Sequence, residues 1–194
     1  MNRLSIACVP VGMLLLMGCG GSATGSGGGS GAFNSGLPSS EQLGDLSDAD
    51  AQELCASALS SDAAKVTFNV FCRVTAITEA LSLDTNQTDA TLQATCQMLE
   101  SQCTSTIASE TASTSMMCHK SDTPCAATVA DYTTCIDDDG AAASAELADI
   151  PECASLTAAS ANAVSENVLT SAQPASCQAL GQECPGFMLG GTAM

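Results

Sequence analysis

The sequence predicts a small all-α protein held together by disulfide bonds, and three observations support this prediction. Apolar residues make up 45% of the chain, yet it has no Trp, one Tyr and four Phe. Most of the apolar residues are alanines, and alanine-rich helices bury too little area for a strong hydrophobic core. Ten cysteines follow the N-terminal region, among apolar residues that recur at helical spacing. We therefore expect covalent cross-links to supplement a thin core.

The N-terminal residues resemble the signal of a bacterial lipoprotein. Arg3 precedes a mainly apolar stretch, 6–17, which has the length of a signal-peptide core and is too short to span a bilayer. The residues LMGC at 16–19 then resemble the lipobox that lipoprotein signal peptidase cuts, with Met17 where a small residue is usual. The resemblance implies that Cys19 is diacylated and becomes the mature N-terminus. An ordinary secretory signal cut nearby is the alternative.

The segment after Cys19 predicts a tether between the lipid and the folded part. Gly and Ser dominate 20–40, and such a segment cannot bury enough apolar area to fold. By family analogy, Gly20 rather than Asp after the lipidated Cys favours attachment to the outer membrane. The predicted organisation is a signal peptide (1–18), the lipidated Cys with a disordered Gly/Ser linker (19–40), a disulfide-rich helical domain (41–187) and a tail (188–194).

The predicted mature chain is strongly acidic. Arg3 leaves with the signal, so the three remaining cations (Lys65, Arg73 and Lys120) against 21 acidic residues leave a net charge of −18. Such a chain is repelled by phosphates and anionic headgroups, which excludes nucleic acid as a partner. The acidic residues are mostly dispersed singly and favour a role in solubility. A specific cationic partner is the alternative.

The cysteines of the mature chain predict a disulfide framework, because their number is even and the protein is expected to be exported. No C-x-x-C occurs and the chain has one histidine, which argues against a zinc site and against a thioredoxin-like redox centre. The ten predicted disulfide cysteines are Cys55, Cys72, Cys96, Cys103, Cys118, Cys125, Cys135, Cys153, Cys177 and Cys184.

The spacing of these cysteines predicts an internal repeat. Spacings of 24 and 7 residues occur from Cys72 to Cys103 and again from Cys153 to Cys184. The ends of the two stretches, CQMLESQC and CQALGQEC, are also alike. We predict two related four-cysteine units, about 47–104 and 127–185. One large domain with coincidental spacing is the alternative.

Capping signals and apolar spacing predict three helices in the first unit. Ser47, with Asp50 three residues later, resembles a capping box that opens the first helix. A second helix is predicted over 62–83 and is followed by a turn at 84–86. Residues that recur on one face predict a third helix; these are Leu92, Cys96, Leu99 and Cys103.

The second unit carries weaker helix signals. Thr123-Pro124 resembles an N-cap with proline at the first helical position, and Asp139-Gly140 is predicted to break that helix. Pro151 marks the end of another short helix, and 155–170 is ambiguous between helix and loop. A last helix is predicted over 174–184.

Helical geometry limits the pairing of the cysteines. Residues seven apart on one helix are about 10.5 Å apart, more than a disulfide tolerates, so Cys96 cannot pair with Cys103, and the same holds in the second unit. In an antiparallel hairpin that turns near residue 85, Cys96 lies level with Cys72. The predicted bonds are Cys72–Cys96, Cys55–Cys103, Cys153–Cys177, Cys135–Cys184 and Cys118–Cys125.

Two segments carry a resemblance to a group of bacterial proteins. CAATVADYTTC (125–135) and PASCQALGQECPGF (174–187) are similar to recurring elements of uncharacterised, cysteine-rich predicted lipoproteins of myxobacteria. The resemblance implies an anchored, disulfide-stapled protein. It implies no activity.

The candidate chemical groups each have a simpler explanation. His119 with Cys118 and Asp122 could form a nucleophilic or zinc site, but the local cysteines are more simply a disulfide. The run 137–139 fails the EF-hand spacing, which predicts a solvated acidic helix end instead. The sequence therefore predicts no catalytic residue, metal or cofactor.

A non-enzymatic structural or interaction module of the cell envelope is the function that the sequence favours. A binding module for a small or cationic ligand is the chief alternative, and an enzyme of unrecognised class is the third.

Overall fold

The computed structural model describes residues 33–83, 88–114, 125–167 and 173–185. These residues form six α-helices and one 3-10 helix, which confirms the all-α prediction. One isolated bridge, Gln42 to Thr128, is the extended pairing found among them. The helices are α1 (Asp48–Ser60), α2 (Asp62–Leu83), α3 (Asp89–Thr114), α4 (Val129–Asp149), the 3-10 helix (Cys153–Ser155), α5 (Ala158–Asn167) and α6 (Ala175–Glu183).

α2 is the central helix of the described bundle and packs against α1, α3, α4 and α5. Among the described helices it is the one long and apolar enough to cross a membrane by length and composition. Ile77 and Ala80 on this helix are fully buried against the neighbouring helices. Its position in the bundle therefore accounts for its apolar composition without a membrane.

Local capping fixes where the helices begin. The Ser47 side chain accepts a hydrogen bond from the Asp50 N–H at 3.2 Å, which confirms the predicted start of α1. The predicted start at Thr123-Pro124 lies outside the described residues, but the described residues 125–127 are not helical. α4 begins at Val129 instead. Thr128 caps it, in a full capping box with Asp131.

The predicted break at Gly140 is wrong, because α4 continues through this residue to Asp149. Gly140 serves packing instead of chain reversal. A Cβ atom at this position would lie 2.7 Å from the Ala63 Cα on α2, so the missing side chain lets the two helices approach closely. The predicted helix end before Pro151 is confirmed, and the ambiguous region 155–170 contains α5.

The described apolar side chains form two separate cores. The first core lies between the chain before α1, α1 itself, the beginning of α4 and α6. Its buried residues are Phe33, Leu43, Leu46, Ala51, Leu54, Ala58, Cys125, Ala127, Val129, Tyr132, Cys135, Cys177, Leu180 and Cys184. The second core lies between α2, α3, the end of α4, the 3-10 helix and α5. Its buried residues are Val70, Ala76, Ile77, Ala80, Leu92, Cys96, Ala143, Ile150, Cys153, Leu156, Ala161 and Val164.

All nine described cysteines are in disulfide bonds, but all five predicted pairings are wrong. Four bonds have both partners among the described residues: Cys72–Cys103, Cys96–Cys153, Cys125–Cys184 and Cys135–Cys177. Cys55 is bonded as well, and Cys118 lies outside the described residues. Because Cys96–Cys153 joins the two predicted units and each core takes residues from both, the pairing does not follow the sequence repeat.

The error between α2 and α3 comes from helix rotation. Cys72 lies 11 residues before the end of α2, whereas Cys96 and Cys103 lie 7 and 14 residues after the start of α3. The level of Cys72 along the helices therefore falls between the other two, and chain length alone cannot choose. Cys96 is fully buried in the second core with Cys153, so Cys103 is left to face Cys72.

The bonds of the second unit differ from the prediction for a related reason. Cys153, the counterpart of Cys72 in the repeat, lies on the 3-10 helix and faces the second core. Cys177 is thus free to bond Cys135 on α4, which packs against α6. Cys184, just after α6, bonds Cys125, which excludes the predicted Cys118–Cys125 loop.

The folded chain begins earlier than the predicted boundary at residue 41. Residues 33–46, here called the strap, run antiparallel to the chain that leads into α4. The Leu43 N–H donates to the Ala127 carbonyl at 2.8 Å, and the Val129 N–H donates to the Glu41 carbonyl at 2.9 Å. Phe33, expected in the tether, is buried in the first core. The last eight residues of the predicted linker are therefore part of the folded protein.

Candidate functional site

Three adjacent carboxylates in the middle of α4, Asp137, Asp138 and Asp139, form the most connected polar cluster of the described residues. Successive residues on an α-helix point about 100° apart, so three in a row reach three different neighbours. We call these residues the aspartate triplet. They lie eight or more residues inside α4, so the prediction of a solvated helix end is wrong.

Each member of the aspartate triplet accepts a hydrogen bond from a different segment. Asp137 Oδ1 accepts from the Phe33 N–H of the strap at 2.8 Å. Asp138 Oδ2 accepts from the Ser176 hydroxyl of α6 at 2.6 Å. Asp139 Oδ2 accepts from the Thr67 hydroxyl of α2 at 3.1 Å. The triplet thus connects α4 to the strap, α6 and α2.

The electrostatic surroundings of the triplet are set by burial. Burial raises the pKa of Asp139, and the hydrogen bond from Thr67 lowers it in part. The two ion pairs between described side chains lie elsewhere, Lys65 with Asp62 and Arg73 with Glu100. No group of three or more potential metal ligands occurs among the described residues. The arrangement is that of structural acceptors.

Removing the charge of Asp139 is expected to stabilise the protein slightly at neutral pH. Asn at this position keeps an oxygen that accepts from Thr67 but carries no charge to desolvate, so we expect Asp139→Asn to gain roughly 0.5 kcal/mol after allowance for the remaining solvent contact. A raised pKa favours the folded state below the unfolded value of 3.8, and this contribution is lost as the pH rises. The gain should therefore be present at pH 7 and vanish below pH 3.8 in urea unfolding curves. A loss of stability at pH 7 would contradict this account.

An aromatic pair fixes the strap next to the aspartate triplet. The ring of Phe33 meets that of Tyr132 edge to face, with centroids 6.2 Å apart. Tyr132 is almost fully buried, and burial raises the pKa of its hydroxyl. The backbone bond from Phe33 to Asp137 and this ring contact together hold the start of the folded chain on α4.

The structure bears on one of the residues considered for metal or nucleophilic chemistry. Cys118, His119 and Asp122 lie outside the described residues, as does Cys19. Cys125 is bonded to Cys184, and since a zinc ligand must be a thiolate, it cannot serve as one in this oxidised form. The sequence reasoning missed the aspartate triplet, because nothing in a run of acidic residues reveals which distant donors reach it.

The fold and its bonds define a class, that of small all-α proteins stapled by disulfides. No protein-family description, curated protein or solved structure matches the chain. The similarity of 125–135 and 174–187 to predicted myxobacterial lipoproteins remains a prediction.

Proposed function

We propose that this protein is a lipid-anchored, non-enzymatic module of the bacterial cell envelope that acts through structure or interaction. The observation that carries the proposal is the oxidation state of its cysteines. All nine described cysteines form disulfides, and such bonds persist in oxidising compartments outside the cytoplasm. This supports export, and the LMGC sequence at 16–19 supplies the route and the anchor.

The position of the strap supports the same proposal. The folded part begins at Phe33, held by Asp137 and Tyr132, so 13 residues separate it from Gly20 onward to the membrane-linked Cys19. A folded body joined to an acylated cysteine by a short Gly/Ser segment is an arrangement suited to presenting a surface beside a bilayer. The aspartate triplet supports a structural role for the most connected carboxylates, because each of them holds another part of the fold.

The lipid anchor is tested by replacing the cysteine that would carry it. Cys19→Ala in the full-length chain should abolish N-terminal acylation and move the protein from the detergent phase to the aqueous phase in a membrane extraction. Two acyl chains give stable anchoring, so the shift should be nearly complete. Mass spectrometry of the native N-terminus measures the acylation directly.

Cys8→Ala is the matched control, because Cys8 lies in the apolar stretch before the cleavage site. This variant should be processed, acylated and retained in the membrane like the natural chain. If the natural protein begins at a residue other than Cys19, or carries no lipid there, the proposed anchor is wrong. The mass measurement on the natural chain decides the matter even where a variant does not accumulate.

A further inference from the structure

The four described disulfides differ in how far their sulfur atoms are shielded from solvent. Six of the eight cysteines belong to the two cores: Cys125, Cys135, Cys177 and Cys184 to the first, Cys96 and Cys153 to the second. Cys72 and Cys103 belong to neither. Cys103 is also the one half-buried member of these four bonds, the other seven being buried.

From this difference we propose that Cys72–Cys103 is a thiol–disulfide exchange site. A dithiol reductant opens it ahead of the other three described bridges, and its opening releases residues 104–114, here called the distal segment of α3. Exchange requires a thiolate to reach a disulfide sulfur, so access limits which bond reacts. Burial in a packed core denies that access to the other three.

The exchange balances with a dithiol as the electron donor. One thiolate of the reductant attacks Cys103 Sγ, forms a mixed disulfide there and breaks the bond to Cys72 Sγ. The Cys72 thiolate takes up a proton. The second thiol of the reductant, as its thiolate, then attacks the mixed disulfide, so Cys103 also becomes a thiol and the reductant leaves as a disulfide.

The first part of α3 stays in place when this bond opens, because three other contacts hold it. Cys96 remains bonded to Cys153. The Gln93 Nε2 donates to the Leu156 carbonyl at 2.9 Å. The Arg73 Nε donates to Glu100 Oε1 at 2.9 Å, with both side chains largely shielded from solvent. All three contacts lie before Cys103 in the chain.

The distal segment has little to hold it once the bond is open. Its hydroxyls at Thr104, Ser105 and Ser109 donate to carbonyls of their own helix. The sequence TSTIASETAST is rich in Ser and Thr, which have modest helix propensity and compete for backbone bonds. Isolated helices shorter than about 12–15 residues are marginal in water. Opening of the bridge should therefore unfold this segment and leave the rest intact.

The order of reduction tests the proposal on the full natural chain, solubilised in mild detergent. The protein is treated with increasing dithiothreitol, free thiols are alkylated, and the remaining bonds are then reduced and alkylated with a second label. We expect Cys72 and Cys103 to be labelled about tenfold or more before the six cysteines of the two cores, since local opening is far easier than global unfolding. Equal rates for the four bonds, or earlier labelling of any other, would overturn the proposal.

Hydrogen exchange of the partly reduced protein tests the structural consequence. Amide protection should be lost over 104–114 and retained over 89–101 and in α2. Loss of protection throughout the chain at the same reductant concentration would show that no separate release occurs, and would overturn the second half of the proposal.

Paired variants provide the matched control. Cys72→Ser with Cys103→Ser should keep the protected core and lose only the distal segment, whereas Cys96→Ser with Cys153→Ser should lower protection across α3 and α5. If the first pair fails to fold, the proposal is wrong, because the bond would then be needed by the whole protein.

Discussion

Complete reduction of the disulfides is expected to abolish the far-UV helical signal at moderate temperature. The four described bonds join residues separated by 31 to 59 positions. On the chain-entropy model, loops of that length stabilise the fold by about 4 kcal/mol each. Small domains have a total stability of only about 5–15 kcal/mol, so the loss of these bonds should exceed what the alanine-rich cores supply.

Circular dichroism at 222 nm, before and after reduction in excess dithiothreitol, measures this effect. The oxidised protein, incubated at the same temperature, is the control. The loss should come after the early step at Cys72–Cys103, so the signal should fall in two stages as the reductant concentration rises. Full helicity with every thiol free would show that the packing of the two cores suffices without cross-links.

Gly140→Ala is expected to lower the free energy of unfolding by roughly 2 kcal/mol. The added methyl group would collide with the backbone of Ala63, where α2 and α4 make their closest approach. Overpacking of this kind costs about 1–3 kcal/mol or more, and the higher helix propensity of alanine returns up to about 1 kcal/mol. Urea unfolding of the oxidised protein measures the net change.

Gly181→Ala is the matched control for this substitution. Gly181 lies in α6, and a Cβ atom there would meet nothing within 4 Å. The same change should therefore stabilise the protein by roughly 0.5–1 kcal/mol through helix propensity alone. Opposite signs at the two glycines are the expected result. A stabilising effect at Gly140 would mean that α2 and α4 separate without cost.

The elements that depend on local interactions were predictable from the sequence. The start of α1 follows from the Ser47 cap, and the bounds of α2 agree with the predicted 62–83. The predicted last helix over 174–184 agrees with α6, which Pro174 precedes. Capping and apolar spacing act within a few residues, so a single sequence displays them.

The features that depend on distant partners were not predictable. Gly140 looks like a helix breaker until Ala63 is placed against it. The choice between Cys96 and Cys103 as the partner of Cys72 depends on the rotation of α3 about its axis, which the position of Cys153 decides. A repeat in cysteine spacing carries no information about that rotation.

The candidate site was hidden for the same reason. The aspartate triplet was visible as a run of charges, but its donors lie 104, 38 and 72 positions away. Phe33 offered one signal that could have been used, since a large aromatic residue in a Gly/Ser segment is out of place unless it packs. Its position inside the predicted linker concealed that role.

The docking of Phe33 also sets a leash length for the protein on its bilayer. If Cys19 carries the lipid, the chain between acylated residue and folded body is 20–32, thirteen residues. Fully extended, thirteen residues reach no further than about 45 Å. The leash leaves the body beside the middle of α4, where Asp137 holds Phe33, so any partner must lie within that radius and approach from a side that the leash leaves open.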